Sequence, residues 1–325
     1  MPCLAVRVES SDGVAEHVAP GAPHGPCPRP TALWEDRTMS AQQSSFVSAV
    51  DGTDIATHAW LAVDGDPCGA VQIAHGLAEH GARYDRFATA LNQAGFLAFA
   101  TDHRGHGRTG RDRLGDFGFG ELIADVAQYG TLLADEYPGL ALFLLGHSMG
   151  SFASQSIVID HSDRYAGVVL SGSTALDVLA AAMAESEGPA GLEAFNVGFE
   201  HRTGYEWLSR DEAEVDLYVA DPWCGFDLPD EVVPSLFAPA ARLADPAALA
   251  GIRSDLPLLI ASGSDDPLAG GGQLVELLGQ RYREAGVSDV TVTVYPGGRH
   301  EILNETNRDE VTADLIDWLS GHAGA

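Results

Sequence analysis

The sequence predicts an α/β fold, a mostly parallel sheet with helices on both faces and one helical insertion. Three observations predict it. From about Ala70 to Leu319, short apolar runs alternate with helix-compatible stretches. That alternation lapses once, between Ser173 and about Ile252, and then resumes. Finally, the pentapeptide Gly146-His147-Ser148-Met149-Gly150 lies between an apolar run and a helix-compatible run.

Residues 1 to about 42 differ from the rest. The proline-rich stretch 20–30 fits neither helix nor central strand, and no apolar core follows the first basic residue as a signal peptide requires. The expectation is an upstream-extended or disordered N-terminus over 1–42 without a functional part, Met39 making a sensible start, and one domain over 43–325. Segments 46–50 and 54–61, joined at Asp51-Gly52-Thr53, read as a hairpin. Further strands are expected at 70–74, 96–100, 140–145, 167–170, 256–261 and 290–295. Helices are expected at about 84–93, 121–136, 272–285 and 309–319. Within 174–252 the chain is helical and aromatic in places, with prolines at 222, 229, 234, 239 and 246, as an inserted cap would be.

Composition removes several functions. The net charge is −29, a surface that repels nucleic acid and anionic membranes. All 18 basic residues are Arg, which excludes a Schiff-base lysine, a pyridoxal-phosphate site and a P-loop. The apolar runs are too short to span a bilayer. Cysteines 3, 27, 68 and 224 form no CxxC pair, so reduced thiols in a cytoplasmic protein are expected. The pairs His75/His80 and His103/His106 lack supporting Cys or carboxylate spacing, so no metal is expected.

Strand, G-x-S-x-G and helix together describe a nucleophile elbow, with Ser148 as nucleophile and Gly146 and Gly150 keeping strand and helix apart. A serine alcohol needs a base, and the base needs an acid to orient it. Turns after the last two strands offer Gly263-Ser264-Asp265-Asp266 and Gly297-Gly298-Arg299-His300. We assign His300 as base and Asp266 as acid. Spacing alone does not separate Asp265 from Asp266, and Asp177 is a weaker rival. Backbone N–H groups of Met149 and Leu77 are the expected oxyanion donors.

Together these motifs resemble the monoacylglycerol lipase and lysophospholipase branch of the α/β-hydrolases, often labelled serine aminopeptidase S33. The resemblance spans about residues 46–320 and rests on five motifs in order. These are His75-Gly76-Leu77-Ala78-Glu79-His80 with Arg83-Tyr84, the loop 102–110 with Thr109 where Ser is usual, the elbow, Gly263-Ser264-Asp265-Asp266, and the turn from Tyr295 to His300-Glu301. In the insertion, Leu208-Ser209-Arg210-Asp211, Tyr218 and Asp221-Pro222 are similar to bacterial members. The resemblance favours Asp266 as the acid. It implies cofactor-free hydrolysis of a small or single-chain carboxylic ester through an acyl-enzyme on Ser148, with monoacylglycerol the first expectation. Alternatives are a lysophospholipase or an esterase of small or monoalkyl esters. An aminopeptidase would usually carry H-G-G-P-G and a Trp after the nucleophile, both missing here. A non-catalytic receptor of this fold would typically have lost a triad member. The chain departs from the branch at Gly150-Ser151 and at Gly270-Gly271-Gly272.

Overall fold

The computed structural model describes residues 41–185 and 191–324, so the expectations for the N-terminal extension lie almost wholly outside the described residues. Strands β1 (Gln42–Val47), β2 (Asp54–Trp60), β3 (Gly69–Ala74), β4 (Phe96–Thr101), β5 (Leu142–His147), β6 (Gly167–Ser171), β7 (Leu258–Gly263) and β8 (Val290–Tyr295) form one sheet. Their order is β1-β2-β4-β3-β5-β6-β7-β8. Only the β1–β2 and β2–β4 pairs are antiparallel; the others are parallel.

Side chains alternate across the sheet, and both faces are covered. On β5, Leu142 and Leu144 join one core with Val126, Leu133, Ile157, Leu278 and Tyr282. Phe143 and Leu145 point the other way, to Phe87, Leu91, Leu315 and Leu319. The first face is therefore covered by helices Phe119–Glu136, Met149–His161 and Gln273–Glu284, the second by Asp85–Gln93 and Arg308–His322. Burial on both faces explains why the central strands read as unbroken apolar runs.

Three strands begin two or more residues from where the sequence pattern placed them, β5 among them, at Leu142 rather than residue 140. The first starts at Gln42, because an edge strand facing water carries polar residues and no apolar signal. Residues 48–53 are its turn, closed by Ser48 N–H to Thr53 C=O at 2.8 Å, with Gly52 at φ 83°. Strand β7 starts two residues late, at Leu258, since Pro257 contributes only its carbonyl to the ladder.

Between β6 and β7 the described chain forms helices and no strand. These are Leu176–Glu185, Glu212–Ala220 and three shorter helices within 233–249, besides a 3₁₀ turn at Leu192–Asn196. Trp207, Leu208, Tyr218, Val232, Leu243 and Leu249 from this segment join the first core. Cys224 here is a free thiol, whereas Cys68 is disulfide-bonded, so the expectation of reduced cysteines throughout does not hold. No helix of the described residues is long and apolar enough to cross a membrane.

The strand order reverses at β3 and β5, where Ala74 pairs with Gly146 and both strands run out into loops. Such a switch point opens a crevice at the carboxyl ends of the strands. At the other side of the crevice, a Cβ on Gly263 would lie 1.9 Å from the carbonyl oxygen of Gly298, so the loops after β7 and β8 touch through bare backbone. Gly263→Ala should cost about 1–3 kcal/mol by overpacking, a Tm loss of several degrees by calorimetry. Gly120→Ala, in the helix Phe119–Glu136 with open space around it, should instead add about 0.4–1 kcal/mol of stability and raise Tm.

Candidate active site

The strand-to-helix turn after β5 forces Ser148 to φ 50° and ψ −120°. A non-glycine residue at positive φ costs of order 1–3 kcal/mol and persists where neighbours over-determine it. They do so here. Ser148 N–H donates to Ser171 C=O at 2.9 Å, and the hydroxyl of Ser151 donates to Ser148 C=O at 2.6 Å. Ser151 Oγ also lies 2.8 Å from Ser173 Oγ, which Gln155 Nε2 approaches at 3.0 Å. The departure at Ser151 thus supplies a brace for the elbow. A Cβ on Gly150 would sit 2.1 Å from Ala74 O, and one on Gly146 2.3 Å from Ser154 Oγ, so neither position admits a side chain. Met149 opens the helix, where first-turn N–H groups lack helical acceptors.

The structure brings Asp266 and His300 together, with Nδ1 of His300 3.0 Å from Oδ2 of Asp266. Asp266 is 1% exposed and also accepts from Ser262 Oγ and Leu268 N–H, each at 2.9 Å. Burial pushes its carboxyl up, but the His300 imidazole and these donors hold it below the usual carboxylate value. Burial likewise disfavours the His300 cation, yet the Asp266 carboxylate, followed by Glu301 and Glu79, raises its pKa above the ordinary 6.5. Asp265 is exposed and holds only the Ser264 hydroxyl, while Asp177 forms a fork with Arg281 at 2.7 and 3.0 Å. Neither rival reaches His300.

His300 is packed against the elbow. A Cβ on Gly172, the residue after Ser171, would meet His300 Cε1 at 3.0 Å. The rings of His147 and Trp207 lie on it with centroids 4.8 Å away. Burial and the neighbouring His300 lower His147 to about 4, so it stays neutral. Nε2 of His300 is buried without a hydrogen-bond partner among the described residues, so its bond to Ser148 is unmade. Hydrogen bonds of this kind commonly tighten only with substrate bound.

The loop after β3 lies against Ser148, for a Cβ on Gly76 would be 3.2 Å from Ser148 Cβ. This brings Leu77, next in sequence, to the side of Ser148. Sequence patterns missed the ionic scaffold beneath it. Gly76 N–H donates to Glu79 Oε1 at 2.5 Å, Tyr84 O–H reaches the same oxygen at 3.0 Å, and Arg83 binds Glu79 Oε2 at 2.7 Å. Arg83 also forms a fork with Glu301 at 2.6 and 2.8 Å. The four-residue spacing of Glu79 and Arg83 was visible, but Glu301 lies 218 residues from Arg83. Burial would raise the Glu301 carboxyl, but Arg83 brings it down to about 2.

The loop 102–110 is structural. Asp102 accepts from His58 Nε2, Gly81 N–H and Arg108 N–H, each at 2.9 Å. Thr109, replacing the usual Ser, donates to Asp102 C=O at 2.7 Å and accepts from Ala56 N–H at 2.9 Å, using only its hydroxyl. His75 and His103 stack at 3.9 Å, and burial keeps His75 and His103 neutral, the latter near 3. As for metal donors, the described residues gather one set within 4.8 Å: His80, Asp221 and Cys224. Within it His80 Nε2 already bonds Asp221 Oδ2 at 2.9 Å.

A sheet of this order with an elbow at its switch point is the α/β-hydrolase fold, and solved structures agree. A carboxyl esterase from Bacillus coagulans matches with a TM-score of 0.76 at 28% identity, over 88% of this chain and 100% of that one. A soluble variant of the Saccharomyces cerevisiae monoglyceride lipase shares the fold, with a TM-score of 0.70 at 20% identity over 90% and 99% of the chains. Residues 65–307 match the family model of the serine aminopeptidase S33 hydrolases, and the chain belongs to that family. It is similar to the monoacylglycerol lipase of Mycolicibacterium smegmatis, 32% identical over 87% of this chain and 99% of that one. The monoglyceride lipase of Homo sapiens is 30% identical over 79% and 84%. Lipase and esterase relatives make this chain a carboxylic ester hydrolase.

Removing Arg83 should leave two buried carboxylates facing each other. Arg83→Gln is expected to cost about 3–5 kcal/mol, read as a lower urea midpoint at unchanged m-value.

Proposed function

We propose that the protein hydrolyses single-chain carboxylic esters, monoacylglycerols first among them, through an acyl-enzyme on Ser148. The observation that carries this reading is the buried Asp266–His300 pair packed against the strained Ser148 turn. The relatives named as monoacylglycerol lipases support the substrate class.

In this reading His300 Nε2 takes the Ser148 proton as Oγ attacks the ester carbonyl. The tetrahedral oxyanion receives N–H donors from Met149 and Leu77. Collapse breaks the acyl–oxygen bond, and the His300 imidazolium returns its proton to the departing glycerol or other alcohol. A water, deprotonated by His300, then attacks the acyl-enzyme and releases the fatty acid. Asp266 fixes the imidazole tautomer and stabilises its cation without itself taking the proton. Each proton taken is returned, so the cycle needs no cofactor. Segment 174–252 acts as the cap that shields the acyl chain from water. With a net charge of −29, monomeric or micellar esters suit the protein better than an anionic bilayer.

The reading is tested with p-nitrophenyl esters from acetate to palmitate, 1-monoacylglycerol and an aminoacyl anilide. Wild type should cleave the esters and monoacylglycerol, and Ser148→Ala should abolish both. Cleavage of the anilide alone would establish a peptidase instead. Asp266→Asn should lower kcat by about 10³–10⁴-fold, whereas Asp265→Asn should leave it unchanged. The base must be neutral to act, and Asp266 raises its pKa above 6.5. Wild-type kcat/KM should therefore fall with decreasing pH through a midpoint above that value. In Asp266→Asn the residual activity should hold to lower pH, because burial then acts on His300 without the carboxylate.

A further inference from the structure

We propose that Tyr218 is a positioning residue for the oxyanion loop, acting on it from the segment between β6 and β7. The proposal rests on the reading of Leu77 as an oxyanion donor. Ala78, the next residue, stands at φ 53°, a left-handed conformation that a non-glycine residue leaves unless held. Its carbonyl oxygen is gripped twice from outside the loop. Tyr218 O–H, 140 residues away in sequence, donates to Ala78 O at 2.8 Å, and Gly225 N–H donates to the same oxygen at 2.9 Å. Gly225 N–H also lies 3.1 Å from the Tyr218 oxygen, and Tyr205 O–H fixes the Gly225 carbonyl at 3.0 Å.

The tyrosine itself is immobilised. It is 2% exposed, packs against the Tyr205 ring at 5.1 Å and lies under the Arg83 guanidinium at 4.9 Å. Asp221, three residues on, binds His80 at the far end of the loop. The Gly76–Leu77 peptide, which carries the Leu77 N–H and whose carbonyl lies 2.8 Å from His75 Nδ1, is thus flanked by two anchored groups, the Gly76 N–H on Glu79 and the Ala78 C=O on Tyr218. Releasing the Ala78 carbonyl frees the Ala78 and Leu77 torsions, and through them lets that N–H drift from the position of the developing oxyanion. The cap, in this view, completes the site's electrostatics as well as covering it.

Tyr218→Phe removes one oxygen and leaves Ala78 O bonded to Gly225, so the fold should survive, checked by circular dichroism and Tm. Its kcat on p-nitrophenyl butyrate should fall about ten- to a hundredfold, less than the loss of an oxyanion donor itself, with KM little changed. Affinity for an alkyl trifluoromethyl ketone, which forms the tetrahedral adduct, should fall in the same proportion. Placed on Ala78→Gly, which takes positive φ freely, Tyr218→Phe should cost several-fold less. Full kcat and unchanged ketone affinity in a folded Tyr218→Phe protein would overturn the proposal. So would an equal loss in both backgrounds, the mark of general cap damage. Active Ser148→Ala would instead overturn the ester-hydrolysis reading beneath it.

Discussion

Close backbone approach at the carboxyl ends of the strands is the constraint on which the rest depends. The helix after β5 passes β3 so nearly that the Ala74 carbonyl occupies the space of a Gly150 side chain. The loops after β7 and β8 meet through Gly263 and Gly298 in the same way. These two contacts, on either side of β6 at the carboxyl ends of the strands, set where Ser148, Asp266 and His300 can stand. No favourable interaction between the three side chains could substitute for them. The elbow strain and the unbonded Nε2 of His300 show Ser148 held by its backbone rather than by the imidazole.

Around this core the polar groups obey the rule that buried charges are paired. Glu79 and Glu301 share the Arg83 guanidinium beneath the loop after β3, and Asp266 is held by His300, Ser262 and a backbone N–H. The histidines behind the loop, His75 and His103, are instead kept uncharged by burial. Two solutions to the same desolvation problem thus lie a few residues apart. Charge pairs link separate chain segments, and neutral rings fill space.

What could be read from the sequence was what spacing encodes locally. The elbow, the G-x-x-D turn and the final His turn are short-range patterns whose geometry follows from adjacent residues. The buried strands announced themselves because both faces are covered. The first edge strand did not, since Gln42–Ser45 faces water. Asp265 and Asp266 differ only in which way a turn points them, and that is settled by packing. Glu301 and Tyr218 were legible as letters but not as parts, because their partners are 218 and 140 residues distant. Ser151 looked like a departure, and only its hydrogen bonds to Ser148 and Ser173 reveal a brace.

The glycine contact between the β7 and β8 loops has a consequence for how such a protein can diverge. Asp266 and His300 sit on two loops that meet backbone to backbone, and the chain between β6 and β7 passes beside them, receiving the His300 and Glu301 N–H groups on the carbonyls of Trp207 and Leu208. Inheritance can therefore rewrite the exposed parts of the intervening segment, and with them the shape of what is admitted, so long as the residues that pack on the core and on His300, Trp207 among them, are kept. New specificities arise by editing around those anchors. Chemistry here is heritable as a fixed unit, and substrate choice as a loose one.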